Sequence, residues 1–194
     1  MNENRRGTYM DEERLIQTAL DCGATGADMV GRGGIVLDPA FRAFCEQNRC
    51  GMYGRCYMCP PDIGSVEELI AQVLSFDRGL LYQTVSPLED SFDIEGMREA
   101  KARHVCVSQR LLDALQPLLG KDALHLTVGG CGLCAECAKP MGQPCRHPER
   151  ALPSLESHGI DVYNTVRNTS LRYVNGPDTV TYFGLILFRD TNDG

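Results

Sequence analysis

Residues 79–128 read GLLYQTVSPLEDSFDIEGMREAKARHVCVSQRLLDALQPLLGKDALHLTV, and the way this run divides decides the fold. GLLYQTV, residues 79–85, is short, apolar and rich in strand formers, and Pro87 closes it. A long helix is expected from about Phe92 to Gln116. Val105, Leu112 and Leu119 recur every seven residues there, and Leu111, Leu115 and Leu118 widen the apolar stripe. Pro117 is expected to kink or end the helix, because it lacks an N–H and its ring crowds the preceding turn. Gly120 and Lys121-Asp122 then turn the chain into ALHLTV, residues 123–128, a second buried strand. A strand, a long crossover helix and another strand suggest a right-handed unit with parallel strands. The expected architecture is α/β (or α+β): a single domain over residues 1–194, with a mixed central sheet flanked by helices and two cysteine-rich loops.

The second strand runs straight into Gly129-Gly130 and the stretch CGLCAECAKPMGQPCRHP, residues 131–148. Upstream, DEERLIQTALDC (residues 11–22) is helical, with Leu15, Ile16, Ala19 and Leu20 on one face and acidic residues in its first turn. Residues 27–37 suggest one or two weak strands joined by a glycine turn. Asp38-Pro39 starts a short helix that delivers Cys45 and then Cys50. Residues 50–64, CGMYGRCYMCPPDIG, are too rich in glycine and proline for regular structure and form the first cysteine loop. Ser65 caps the next helix, whose apolar set is Val66, Leu69, Ile70, Val73 and Leu74. After Cys145 a helix is expected over residues 148–158, then Gly159 as a stop and Asp161 as the cap of a helix of about two turns. Asn175-Gly176-Pro177-Asp178 marks a turn, and TVTYFGLILF, residues 179–188, is the most strand-like segment of the chain.

The composition narrows the function. A hydrophobic content of 43% is that of an ordinary globular protein. No apolar run approaches the roughly 18 to 20 residues that span a bilayer. The opening MNENRRGTYMDEE lacks an apolar core, so no secretory signal is expected and the expected address is cytoplasmic. A net charge of −7 without a basic stripe argues against a nucleic-acid partner, and no membrane partner is expected. The chain has ten cysteines, which in a reducing compartment are more often metal or redox ligands than disulfides. Cys22 and Cys106 stand alone in helical patterns, where a buried apolar thiol is expected.

The other eight fall into two sets of four: Cys45, Cys50, Cys56 and Cys59, then Cys131, Cys134, Cys137 and Cys145. The second set resembles the bacterial ferredoxin run C-x2-C-x2-C-x3-C-P, with a longer last interval. Its near-continuous triplet suits a four-thiolate iron–sulfur cluster better than zinc, which favours two separated Cys-x2-Cys hairpins. A thioredoxin-like redox pair would use only two of the four. The first set is less regular, with Gly51 and Gly54 placed to let backbone amides approach a cluster. Zinc is its main rival, and Cys56 is the least strongly supported ligand of the eight. All eight are candidate metal and cofactor ligands, most simply for two 4Fe–4S clusters, with zinc as the alternative.

Among the histidines, His147 lies two residues from Cys145 and could bond a cluster sulfur or replace a cysteine. His104 is expected as a surface or packed residue, His125 as a satisfied core histidine, and His158 as a helix-terminal residue favoured by the dipole. Arg55 and Arg146 stand beside Cys56 and Cys145 and could offset cluster charge. No Rossmann fingerprint, Walker loop, nucleophile elbow, His-Glu-x-x-His or radical-SAM triplet is present, so catalytic residues stay unassigned. GRGG, residues 31–34, is read as a flexible turn rather than a phosphate cradle.

CGMYGRCYMCPPDIG at Cys50, YQTV and LEDSFD near Tyr82 and Leu88, CAKPMGQPCRHPERALPSLESHGIDV from Cys137 to Val162, and the final NGPDTVTYFGLILF together resemble a family of predicted metal-binding, cysteine-rich proteins of unknown function. The resemblance covers nearly the whole chain. It implies a stand-alone cytosolic protein of the kind found in anaerobic bacteria and archaea, with metal sites on the same two cysteine groups. Cys56 is again the position not expected in every relative. It implies no reaction. The expected function is an iron–sulfur protein carrying electrons to or from a redox partner protein. One alternative is a zinc-stabilised binding or scaffold module. Another is an enzyme with an open cluster iron as Lewis acid, its site lined by residues 154–161 with Tyr163 and Asn164.

Overall fold

The computed structural model describes residues 11–120 and 122–190, so the expectation about the first ten residues lies outside it. The frame is built on strand β4, Thr179–Phe188, whose residues alternate between two buried faces. Phe183, Leu185 and Leu187 enter one apolar core, and Ile186 and Phe188 enter the other. Strand β1 is Gly26–Gly31, β2 is Arg78–Pro87 and β3 is Leu124–Leu126, and the sheet order is β1-β2-β4-β3. Every ladder is antiparallel.

Two expectations are corrected here. Strands β2 and β3 do run in the same direction, because each is antiparallel to β4, but β4 lies between them. The expected parallel pair is therefore split, and the sheet is not mixed. Among the described residues, parallel pairing is confined to an isolated bridge between Thr127 and Ser154. The most apolar run takes the middle because only there are both of its faces covered. The α-plus-β class and the flanking helices stand as expected.

Helices cover both faces. Helix α1, Glu12–Asp21, and the long helix α4, Ile94–Leu119, pack on Leu80, Tyr82, Ile186 and Phe188. Helix α3, Val66–Leu74, and helix α5, Val162–Val166, cover the opposite core around Leu81, Leu185 and Leu187. Their ends follow from local chemistry. Ser65 and Glu68 form a reciprocal capping box on α3. Asp11, Asp93 and Asp161 accept N–H groups at the starts of α1, α4 and α5. Pro117 sits in the last turn of α4, which runs two residues further and stops at Gly120 with φ 80°.

No helix forms over residues 148–158. The chain is turned, then extended, and closes in a 3₁₀ turn at Glu156–His158. Its backbone is committed elsewhere: Thr127 N–H donates to the Pro153 carbonyl at 2.9 Å, and Leu155 N–H donates to the Thr127 carbonyl at 2.9 Å. A strand extension has taken the hydrogen bonds a helix would need. Helix α5 is one turn rather than two.

A polar network fills the interface between the sheet and α4. The hydroxyl of Tyr82, itself fully buried, lies 2.7 Å from Ser108 Oγ and 2.8 Å from His125 Nε2. Ser108 Oγ is also 3.2 Å from Thr127 Oγ1, which ties the network to the strand end that leads into the second cysteine loop. The ring of Tyr82 crosses β4 at Gly184, its register partner. A Cβ at Gly184 would meet the Tyr82 ring and hydroxyl closer than any real Cβ contact, so only glycine fits.

Candidate metal centre

Helix α2, Ala40–Glu46, begins after Asp38, whose Oδ1 accepts the Ala40 N–H at 2.8 Å. It carries Cys45 into the first loop. Residues 47–64 then fold in successive turns, with Gly51 and Gly54 at φ 73° and 67°. Gly54 N–H donates to the Pro60 carbonyl at 2.8 Å, and Cys59 N–H donates to the Cys56 carbonyl at 3.0 Å. This winding turns Cys56 and Cys59 inward, to 5% and 7% exposure, while Cys50 stays exposed.

The second loop leaves β3 through Thr127 and Gly129 and packs directly onto the first. The Tyr57 hydroxyl donates to the Gln143 carbonyl at 2.7 Å, across 86 residues of sequence. Lys139 pairs with Asp62 and lies over the Tyr57 ring, 5.4 Å from its centroid. The two sets of cysteines distinguished by sequence are therefore neighbours in space.

Cys56 is where they meet. Its sulfur accepts the N–H groups of Met58, in its own loop, and Cys131, in the other, and contacts the side chains of Cys59 and Cys137. With Cys131, Cys134, Cys137 and Cys145 it lines a cavity of about 450 Å³, whose wall also includes Met52, Met58, Lys101 and His147. Cys59 does not line that cavity; its sulfur contacts Cys56 and lies within electrostatic reach of Cys50 and Cys45. By position, Cys56 faces the second set while keeping contact with Cys59 of the first.

The hydrogen bond from Cys59, with the N–H groups of Cys131 and Met58, holds the Cys56 thiol well below the usual thiol range against the opposing push of burial. The same shared contact pushes Cys59 up. Burial raises Cys131, although the N–H groups of Leu133 and Leu152 point at its sulfur. Burial and the Glu156 carboxylate raise Cys45. All ten cysteines are free thiols. Among the described residues, no three His, Cys, Asp or Glu side chains are grouped as a site for a metal ion.

The histidines divide. His147 is exposed at the cavity. Of the two expected places for His104 the structure has the packed one: it is fully buried, bonded through Nδ1 to Thr84 Oγ1 at 2.8 Å, and burial lowers its pKa to about 4. Burial likewise lowers His125 to about 3. His158 is buried, with Nδ1 3.0 Å from the Ser154 carbonyl and its pKa lowered to about 4, so the expected charge–dipole role does not apply. Arg55 is exposed at the cavity, and Arg146 donates to the Glu136 carbonyl at 2.9 Å. Cys106 is exposed on α4 rather than buried. Tyr163 meets Tyr173 edge to face, and Asn164 bonds Asp161; neither lines the cavity.

Three residues near the thiols escaped sequence reasoning. Lys101 projects from α4 to the cavity wall. Glu156, partly buried, accepts the Gly129 N–H and a bond from Ser154, and acts electrostatically on Cys45. Arg42 is buried one helical turn before Cys45. Only Arg42 left a signal, its spacing of three residues on the cysteine's own helix.

A family model described as "Predicted metal-binding protein (DUF2284)" matches residues 28–188. No curated protein and no solved structure matches the chain.

Proposed function

Because the chain belongs to this family of predicted metal-binding proteins, we propose that it is an iron–sulfur protein that carries electrons to or from a partner protein. The observation behind this reading is the meeting of the two cysteine loops at Cys56. Five thiols around one cavity of about 450 Å³ make a soft, all-sulfur donor set with room for a group larger than a single ion. The N–H groups aimed at the sulfurs of Cys56 and Cys131 are the donors that stabilise thiolate charge and tune a cluster's potential. Four of the five thiols Cys56, Cys131, Cys134, Cys137 and Cys145 would hold one 4Fe–4S cluster, and Cys45, Cys50 and Cys59 would supply a second. Bound there, such clusters supply one-electron transfer. Met52 and Met58 limit water at the cavity wall, and Lys101 brings a positive charge to it. The Cys56–Cys59 contact joins the two ligand sets directly, which favours paired one-electron exchange. Ten free thiols support a reducing, cytoplasmic setting.

Anaerobic purification followed by iron, acid-labile sulfide and zinc analysis tests this. About eight irons and eight sulfides per chain are expected for two cubane clusters. A colourless protein with stoichiometric zinc and no labile sulfide would sink the idea in favour of a zinc-stabilised module.

A second reading is favoured by the way the thiols divide. With Cys56 turned to Cys131 and Cys137, the first loop retains three thiols, and Glu156 acts on Cys45. A three-thiolate cluster has one iron open to a substrate, so this centre would belong to an enzyme rather than a carrier. A Cys56→Ala variant that keeps both clusters and binds added cyanide at one iron would support it.

A further inference from the structure

Arg42 and Arg78 are equally buried, each at 8% exposure, but their surroundings differ. Arg78 is met by two carboxylates, Glu12 at 2.5 Å and Asp190 at 2.6 Å. Arg42 is met by none within ion-pair distance among the described residues. Its Nη2 donates to the Gly64 carbonyl at 2.8 Å, its Nη1 reaches the Ser157 carbonyl at 3.4 Å, and its Nε is buried without a partner. A guanidinium stays charged at any pH a protein meets, and burying it without a counter-charge is costly.

The acidic group within its electrostatic reach is Cys45, one turn along α2. On another side lies His158, which burial chiefly, and Arg42 as a like charge, keep neutral, so it supplies no counter-charge. Glu156 acts on Cys45, but its own cationic neighbour is Lys101. What Arg42 lacks is an anion at the Cys45 position.

We propose that Arg42 is the built-in counter-cation of the metal centre on Cys45, Cys50 and Cys59. This rests on the metal-centre reading above. Metal-bound thiolates supply the negative charge, and the guanidinium offsets it. Arg42 is thus a positioning and tuning residue: it favours retention of an anionic centre and raises the potential of a redox-active one.

The test compares the parent protein with Arg42→Lys, which keeps the charge, and with Arg42→Gln and Arg42→Met, which remove it. Each is purified anaerobically and read by metal content, redox titration and release of metal to EDTA. The neutral variants are expected to release metal from one centre about tenfold faster, or to lower one midpoint potential, with the other centre unchanged. Arg42→Lys is expected to recover most of either effect. Gln can still donate to the Gly64 carbonyl, so it remains a folded test if Met is not tolerated. Loaded neutral variants with parental release and potential would overturn the inference, as would Lys and Gln variants equally impaired, which marks a structural clamp. A parent protein without bound metal would overturn this inference together with the reading it rests on.

Discussion

Replacing Gly184 by alanine tests the packing that holds β3 and the second cysteine loop in place. The added methyl group would occupy the space of the Tyr82 ring, which is fully buried beneath α4 and has no free direction to move. Overpacking of a filled core costs about 1–3 kcal/mol. Shifting the ring also pulls its hydroxyl from Ser108 Oγ and His125 Nε2, at 2.7 and 2.8 Å, and a buried polar group left unpaired costs about 1–3 kcal/mol more. Lower backbone entropy in the unfolded alanine chain returns about 0.4–1 kcal/mol. Taken at mid-range these sum to a net loss of about 3 kcal/mol, or roughly 6–12 °C in Tm for a chain of this size. Urea unfolding followed by far-UV circular dichroism, with and without Tyr82→Leu, measures it. Leucine has no ring over Gly184, so the alanine should cost far less in that background. A loss below about 0.5 kcal/mol, or the same loss in both backgrounds, would refute the argument.

Other outcomes follow from the same geometry. Cys56→Ser should reduce metal content more than Cys50→Ser, because Cys56 contacts both cysteine loops whereas Cys50 is exposed; equal metal content in the two, by elemental analysis, would contradict this. Cys22→Ser and Cys106→Ser should retain parental metal content, since Cys22 caps α1 against the core on Leu80 and Tyr82, and Cys106, exposed on α4, does not line the cavity that five thiols share. Stability should fall as pH drops from 7 to 5. His104 and His125 stay neutral when folded, at about 4 and 3, but take up protons near 6.5 when unfolded, so the unfolded state binds more protons across that window. Each contributes a loss of about 2 kcal/mol over those two pH units. Urea midpoints at pH 5, 6 and 7 should show this, and His104→Asn should flatten the slope.

Where local chemistry decides, the sequence was a good guide. Ser65 and Glu68 marked the start of α3 through a reciprocal cap, and the apolar run 179–188 coincides with β4. What escaped depended on contacts between distant segments. Residues 148–158 carry helical composition, but Thr127 engages their backbone, and nothing within the segment announces that. The strand–helix–strand pattern at 79–128 was legible, yet the strand inserted into it lies 50 residues further on. The eight cysteines were legible as residues, while their grouping was not. Cys56 is three residues from Cys59 in the chain, but the direction of its side chain is set by a tight turn and by the Cys131 N–H. Arg42 looks like any surface arginine until the packing of Gly64 and Ser157 encloses it.

The central position of β4 bears on the order of events during synthesis. The backbones of β2 and β3 have no ladder with each other and pair in the sheet through residues 179–188, which leave the ribosome last among the described strands. Cys45 to Cys59 and Cys131 to Cys145 are all translated before the frame that docks their loops can close. The nascent chain therefore carries eight accessible thiols with no finished pocket to protect them. Closing such long-range pairings is slow compared with forming the helices. Oxidants and metal ions can therefore reach these thiols during the interval before residues 179–188 pair with β2 and β3.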